Sequence, residues 1–217
     1  GSVALMRQTW IAAQEYRRAW TRYEARRASG EKADPPRRDL RLETLAAALG
    51  GSVLVQVHCY RADEMVLMIA MAHEFGYRIA AFHHAVEAYK IADLLAREEI
   101  CAMMWADWWG FKLEAWDAIR ESVPLVHKAG GCAVVHSDDP YGIQRLNQEA
   151  AKALSDGKRM GLDISKAEAW TWLSRNPARA LGILDRTGTL EPGKMADVVL
   201  WTGDPFSVYA RAEKVWI

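Results

Sequence analysis

Between Gly51 and Leu184, short β-branched apolar runs alternate in series with stretches of helical periodicity, and few architectures accommodate that rhythm. Val53 to Val57 is a β-branched run that reads as a buried strand. Glu64 to Phe75 then has helical spacing and is closed by Gly76. Arg78 to Phe82 reads as a strand and Glu87 to Arg97 as a helix, with further strands at Ile100 to Met104 and Cys132 to Val135. A longer Trp-rich and helical insertion separates the last two strands, and helices follow at Leu146 to Met160 and Lys166 to Leu173. Strands in series with helices between them imply a parallel sheet covered by its own crossovers.

The flanks differ in kind. Val3 to Arg27 reads as an amphipathic helix with Leu5, Ile11, Ala12, Ala19, Trp20 and Tyr23 on its apolar face. Gly30 to Asp39, centred on Pro35-Pro36, reads as a connection, and Leu40 to Leu49 as a second helix. After Gly188, the turn residues Pro192-Gly193, Gly203 and Pro205 punctuate short strands around Val198 to Leu200 and Lys214 to Ile217. Gly1-Ser2 and the closing Val215-Trp216-Ile217 read as cut ends, which leaves the compartment open between cytoplasm and periplasm.

Composition narrows the classes of function. At 51% hydrophobic residues, 217 residues can bury a sizeable core, which excludes disorder for most of the chain. Its 28 basic and 28 acidic residues cancel, so bulk charge predicts neither nucleic acid nor an anionic membrane as partner. No apolar run reaches the ~20 residues of a membrane helix, and a soluble protein is expected. Cys59, Cys101 and Cys132 lie in apolar segments without CxxC spacing and are expected to be buried thiols.

Active sites of parallel α/β folds sit at the C-terminal ends of strands, and three strand ends here carry metal-competent side chains. Val57 leads to His58, Phe82 to His83-His84, and Val135 to His136-Ser137-Asp138-Asp139. Imidazole and carboxylate are the ligands of hydrolytic zinc sites, where a bound water ionises near pH ~7 and the scissile carbonyl is polarised. Within a strand His83 and His84 face opposite ways, so one of them is expected to look into the site. His73 and His127 lie away from strand ends and read as structural.

Three runs extend the pattern: His58-Cys59-Tyr60-Arg61-Ala62-Asp63-Glu64, His84-Ala85-Val86-Glu87-Ala88-Tyr89-Lys90, and His136-Ser137-Asp138-Asp139-Pro140. With Asn176-Pro177-Ala178-Arg179 and Gly188-Thr189-Leu190-Glu191-Pro192-Gly193-Lys194-Met195-Ala196-Asp197 they resemble the imidazolonepropionase-like branch of the amidohydrolase superfamily. The resemblance implies an α/β fold, the second half (strands five to eight) of a TIM-type (β/α)8 barrel, with a short C-terminal β segment of a composite β-sandwich. The expected parts are N-terminal helices over 1–50, half a barrel over 51–184 and a β segment over 185–217.

By the same resemblance His58 matches the strand-five ligand, His84 the strand-six histidine and Asp138 the strand-eight aspartate, which is ligand and general base together. His84 binds a second metal or the substrate oxygen. Glu87, Tyr89, Asp139, His136 and Lys112 are implied second-rank candidates that orient ligands or touch substrate. The cofactor implied is one or two divalent ions, zinc first, with iron or manganese as alternatives. The implied substrate is a small amide, whether cyclic, an acyl-amino-acid or dipeptide-like, hydrolysed at its C–N bond.

The sequence also departs from that family. It contains no His-x-His, Tyr60 stands where relatives carry another histidine, and the first half of the barrel is absent. The missing half or a second copy of the chain is therefore the expected partner, and weak or no hydrolysis is expected of this chain alone. A non-catalytic half-barrel scaffold is the alternative. The aromatic run Trp105 to Phe111, after strand seven in this register, is expected to line a pocket or to pack a long loop.

Overall fold

The computed structural model describes residues 1–217. The chain divides into two compact units, residues 1–55 with 67–79 and residues 56–66 with 80–217.

In the first unit, helix α1 (Ser2–Ala28) and helix α2 (Leu40–Leu49) pack together. Asp39 caps α2, its carboxylate accepting from the Arg41 and Leu42 backbone N–H groups at 2.9 and 3.2 Å. Tyr16 donates to Glu43 at 3.1 Å, and Arg17 donates to the Leu49 carbonyl at 2.7 Å, closing the α2 C-terminus. The buried face of α1 consists of Trp10 and Ala13, with Trp10 stacked 4.2 Å from Tyr77, whereas Leu5 and Ile11 are exposed. The face expected from Leu5 and Ile11 is thus displaced, because one large indole with a stacking partner outweighs two aliphatic side chains.

The second unit holds most of a four-stranded sheet of order β1 (Val55–His58), β2 (Ile79–His83), β3 (Cys101–Met104) and β4 (Cys132–Val135). β2 pairs with β3, and β3 with β4, in parallel. β3 and β4 are buried along their whole length, which is why they read as continuous apolar runs without alternation. Their crossovers are α3 (Ala62–Phe75), α4 (Ala92–Arg97) and α5 (Ser122–Lys128), followed by α6 (Leu146–Arg159), α7 (Lys166–Trp170) and α8 (Arg175–Ala180). Ser165 caps α7 in a reciprocal box with Glu168, which ends the loop after Gly161 where the sequence placed a helix start. β5 (Val198–Trp201) and β6 (Ala212–Trp216) form a separate antiparallel pair. No helix is long and apolar enough to cross a membrane.

Two of the three cysteines correct the sequence reading. Cys101 and Cys132 face each other in register on β3 and β4, with Cα atoms 4.4 Å apart, and form a disulfide. Only Cys59 is a buried thiol. A separation of 31 residues gives no hint of this, since adjacency in a parallel sheet is created by the crossover and not by the spacing. Asn176 lies beside the bridge, and its side-chain amide donates to the Ala133 carbonyl at 2.7 Å.

Candidate functional site

The C-terminal ends of the four strands bring one aromatic and imidazole cluster together. β1 delivers His58, whose exposed side chain stands two residues after Gln56 on the same strand face. β2 delivers His83, and then His84 adopts φ 58°, a left-handed conformation that ends the strand. That turn overrides the alternation expected of consecutive residues. The His83 ring stacks on His58 at 5.0 Å and the His84 ring lies 4.7 Å from it, so both reach the site, contrary to the expectation that only one looks in.

Contacts within the cluster are close. His84 Nε2 and His58 Nδ1 are 2.8 Å apart, and His84 Nδ1 is 3.9 Å from the Asp138 carboxylate. His136 follows β4 and stacks 5.1 Å from Trp105, which itself stacks 5.0 Å from His84. Tyr60 also stacks on His84 at 5.3 Å, nearly parallel at 15°, and lies 6.3 Å from Trp105. Gln56 donates through Nε2 to the Ala180 carbonyl at 2.8 Å, and its Oε1 lies 2.9 Å from His83 Nε2.

Burial dominates the electrostatics. It pushes His84 down to about 4, against the pull of Asp138, and His136 down to about 3, with the neighbouring imidazoles adding to the effect. His83 is lowered for the same reasons, burial first and His58 second. All three rings are therefore neutral near neutrality, the form in which imidazole offers a lone pair. His84 Nδ1 and His136 Nε2 are buried with no hydrogen-bond partner, which is costly unless something else uses them.

Asp138 also sits at positive φ, 61°, immediately before a turn built by its neighbour. The Asp139 carboxylate accepts from the backbone N–H of Tyr141 at 3.1 Å and from that of Gly142. A Cβ on Gly142 would come within 2.8 Å of Ser137 Oγ, so the turn closes only over a glycine. Ser137 Oγ in turn donates to the Asp139 carbonyl at 2.9 Å, and the Ser137 carbonyl accepts from the Trp105 indole at 2.6 Å. These bonds fix the loop that presents Asp138 and leave its own carboxylate exposed to solvent.

The second-rank candidates separate. Asp139 is a turn former rather than a group facing the cluster. Glu87 accepts from the Ala62 N–H at 2.9 Å and pairs with Lys90 at 3.3 Å, pinning the start of α3. Tyr89 donates to the Asp117 carbonyl at 3.3 Å. His136 belongs to the cluster, and Lys112 stands over the Tyr60 ring, its ammonium 4.0 Å from the ring centre. Outside it, His127 accepts from the Trp172 indole at 3.2 Å, as a structural histidine does. Gln56 was not singled out from the sequence, and of the His83-His84 pair only one was expected to face the site. The signal for Gln56 was present, because a residue two before a strand-end histidine shares its face.

The donor types suit a divalent cation: neutral imidazoles, two unclaimed ring nitrogens and an adjacent carboxylate. No group of three or more His, Cys, Asp or Glu side chains converges in metal-holding geometry. Metal-competent donor types are thus present without a converged site.

Residues 80–217 match the model of the Amidohydrolase family. Over 184 residues the chain is 34% identical to the amidohydrolase tasK of Hapsidospora irregularis, an alignment covering 82% of this chain and 18% of that protein. Over 87 residues it is 56% identical to the imidazolonepropionase of Mesorhizobium japonicum, covering 38% of this chain and 21% of that one. The solved structure of an amidohydrolase from Thermotoga maritima superposes with a TM-score of 0.84 at 28% identity, over 100% of this chain and 54% of the other. The chain therefore spans about a fifth of these curated relatives and about half of that solved structure. With its parallel sheet, its strand-end histidines and a family match running from β2 to the last residue, the chain belongs to the amidohydrolase family.

Proposed function

We propose that the chain is the second half of a metal-dependent amidohydrolase that cleaves the C–N bond of a small amide. The observation that carries this reading is the gathering of His58, His84, His136 and Asp138 at the C-terminal ends of neighbouring strands, with two buried imidazole nitrogens unclaimed. In this reading residues 51–184 are strands five to eight of a (β/α)8 barrel, and 185–217 are part of a composite β-sandwich.

His58, His84 and Asp138 would hold the cation, zinc first and iron or manganese as alternatives. When bound, such an ion polarises the amide carbonyl and acidifies a water. Asp138 is the general base: its exposed carboxylate is free to take a proton from water and pass it to the departing nitrogen. Tyr60 and Trp105 both pack against His84 and restrict solvent access to its ring. The remaining ligands would come from the other half of the barrel, which these 217 residues do not contain, and these residues by themselves are expected to hydrolyse weakly or not at all.

The test is zinc retention after loading and gel filtration, read by elemental analysis. The wild-type chain is expected to retain zinc, and His58→Ala and Asp138→Asn are each expected to weaken retention by at least about tenfold. A wild-type chain that keeps no zinc, or variants that keep as much as it does, overturns the metal assignment. It would leave the non-catalytic scaffold, which the incomplete donor set also fits.

A further inference from the structure

We propose that Trp105 is a positioning residue of this site. Its ring sets the planes of the His84 and His136 imidazoles, and its indole N–H holds the backbone that presents Asp138. This inference rests on the amidohydrolase reading of the cluster and names what orders its donors.

The placement follows from the sheet. Cys101 and Met103 of β3 share one core cluster with Cys132 and Val134 of β4. Trp105 and His136 continue the same alternation, one residue beyond each strand. The parallel register pairs Met104 with Val135, and the His136 N–H donates to the Met104 carbonyl at 3.0 Å, so the ladder runs on to the next pair. An indole and an imidazole are thereby set side by side, 5.1 Å apart and inclined by 21°. The left-handed turn at His84 brings a second imidazole to the indole, at 5.0 Å and 29°.

These are the two rings whose nitrogens, His84 Nδ1 and His136 Nε2, are buried without a partner. An imidazole lone pair lies in the plane of its ring. A stacked neighbour therefore fixes the plane in which each nitrogen can be used and leaves only rotation within that plane. Tyr60 lies nearly parallel to His84 as well, at 15°, whereas the ring stacked on His136 is that of Trp105. The indole thus governs His136 more than His84.

The N–H acts separately. It donates at 2.6 Å to the buried carbonyl of Ser137, the residue before Asp138. Asp138 stands at φ 61°, so rotation of the peptide that precedes it would re-aim its carboxylate. A phenyl ring in place of the indole would keep the stacking and leave that carbonyl without its donor. Trp105 is itself held in place. It is buried, Trp108 and Phe111 meet it edge to face at 4.9 and 5.6 Å, and Asp107, two residues on, pairs with Lys152 of α6 at 2.7 Å.

The experiment reads amide hydrogen exchange and imidazole ring resonances by NMR on the metal-free chain, with zinc affinity of the same samples from chelator competition. Trp105→Phe is expected to speed exchange of the Asp139, Tyr141 and Gly142 amides at least about tenfold, with the amides of β3 and β4 unchanged. Trp105→Leu is expected to do the same and also to move the ring resonances, those of His136 more than those of His84. Zinc affinity is expected to fall at least about tenfold in Trp105→Leu and by less in Trp105→Phe. Trp108→Phe, at the neighbouring exposed ring, is expected to change none of these. Faster exchange across the whole sheet, an unchanged loop in Trp105→Phe, unmoved ring resonances in Trp105→Leu, or equal effects from Trp108→Phe overturns the proposal. Zinc separates it from the reading beneath it. A wild-type chain that takes up no zinc while loop and rings respond as expected removes the metal assignment alone, and zinc bound equally well by every variant removes the positioning role alone.

Discussion

Protonation of the buried imidazoles couples the site to stability. His83, His84, His127 and His136 are all held below the usual histidine value, chiefly by burial, with His84 at about 4 and His136 at about 3. A histidine whose folded value is depressed binds fewer protons folded than unfolded. Its contribution is complete above the unfolded value of ~6.5 and is lost as pH falls through that value toward the folded one. Metal-free chain is therefore expected to lose roughly 1.4 kcal/mol per pH unit for each histidine still neutral, between about pH 6 and pH 4. Urea midpoints across that range check it, and a flat profile would mean the rings are hydrated. The placement of His58, His84 and Asp138 beside one another was legible because strand ends could be read from the apolar runs. That His83 and His84 both reach the site was not, since it depends on the left-handed turn at His84, and nothing in a His-His pair announces a sign of φ.

At the scale of elements, sequence and structure agree wherever periodicity was long. The helices α1, α3 and α6 differ from their expected bounds by no more than two residues at either end. The Glu87 to Arg97 segment is a tight 3-10 turn over Ala88–Ile91 followed by a short α4, because Glu87 and Tyr89 are drawn aside by Ala62 and Asp117. Pairing between elements was the illegible part, and the disulfide shows why. Whether Cys101 meets Cys132 depends on two strands being neighbours in the same register. Denatured, unreduced chain is expected to take one thiol label, at Cys59, and reduced chain three. Native chain is expected to take none, since burial pushes the Cys59 thiol up to about 12. Three labels without reductant would remove the bridge. Replacing both Cys101 and Cys132 by Ala releases a closure across 31 residues and is expected to cost about 3 to 4 kcal/mol in urea unfolding.

For the molecule as a whole, the two outer strands of the sheet are not equivalent. β4 has its outward groups occupied: the Val135 N–H donates to the Trp172 carbonyl at 3.2 Å, and the Ala133 carbonyl accepts from Asn176. β1 has no second strand partner, and the neighbouring Val53 and Leu54 are exposed. Such an edge is a template for pairing with another chain. The purified protein is expected to sediment above 24.4 kDa with a concentration dependence, or to retain a second polypeptide on a denaturing gel. A single 24.4 kDa species at all concentrations would mean that the edge is protected in another way. The hydrogen bonds of Gln56 carry a consequence across the same unit. Because its amide nitrogen is spent on the Ala180 carbonyl at the end of α8, its oxygen must face His83, and His83 must carry its proton on Nε2. The choice between two tautomers at one end of β2 is thus made by a carbonyl nearly a hundred residues later in the chain. A stretch that touches none of the reacting groups decides which nitrogen of His83 can ever accept a proton.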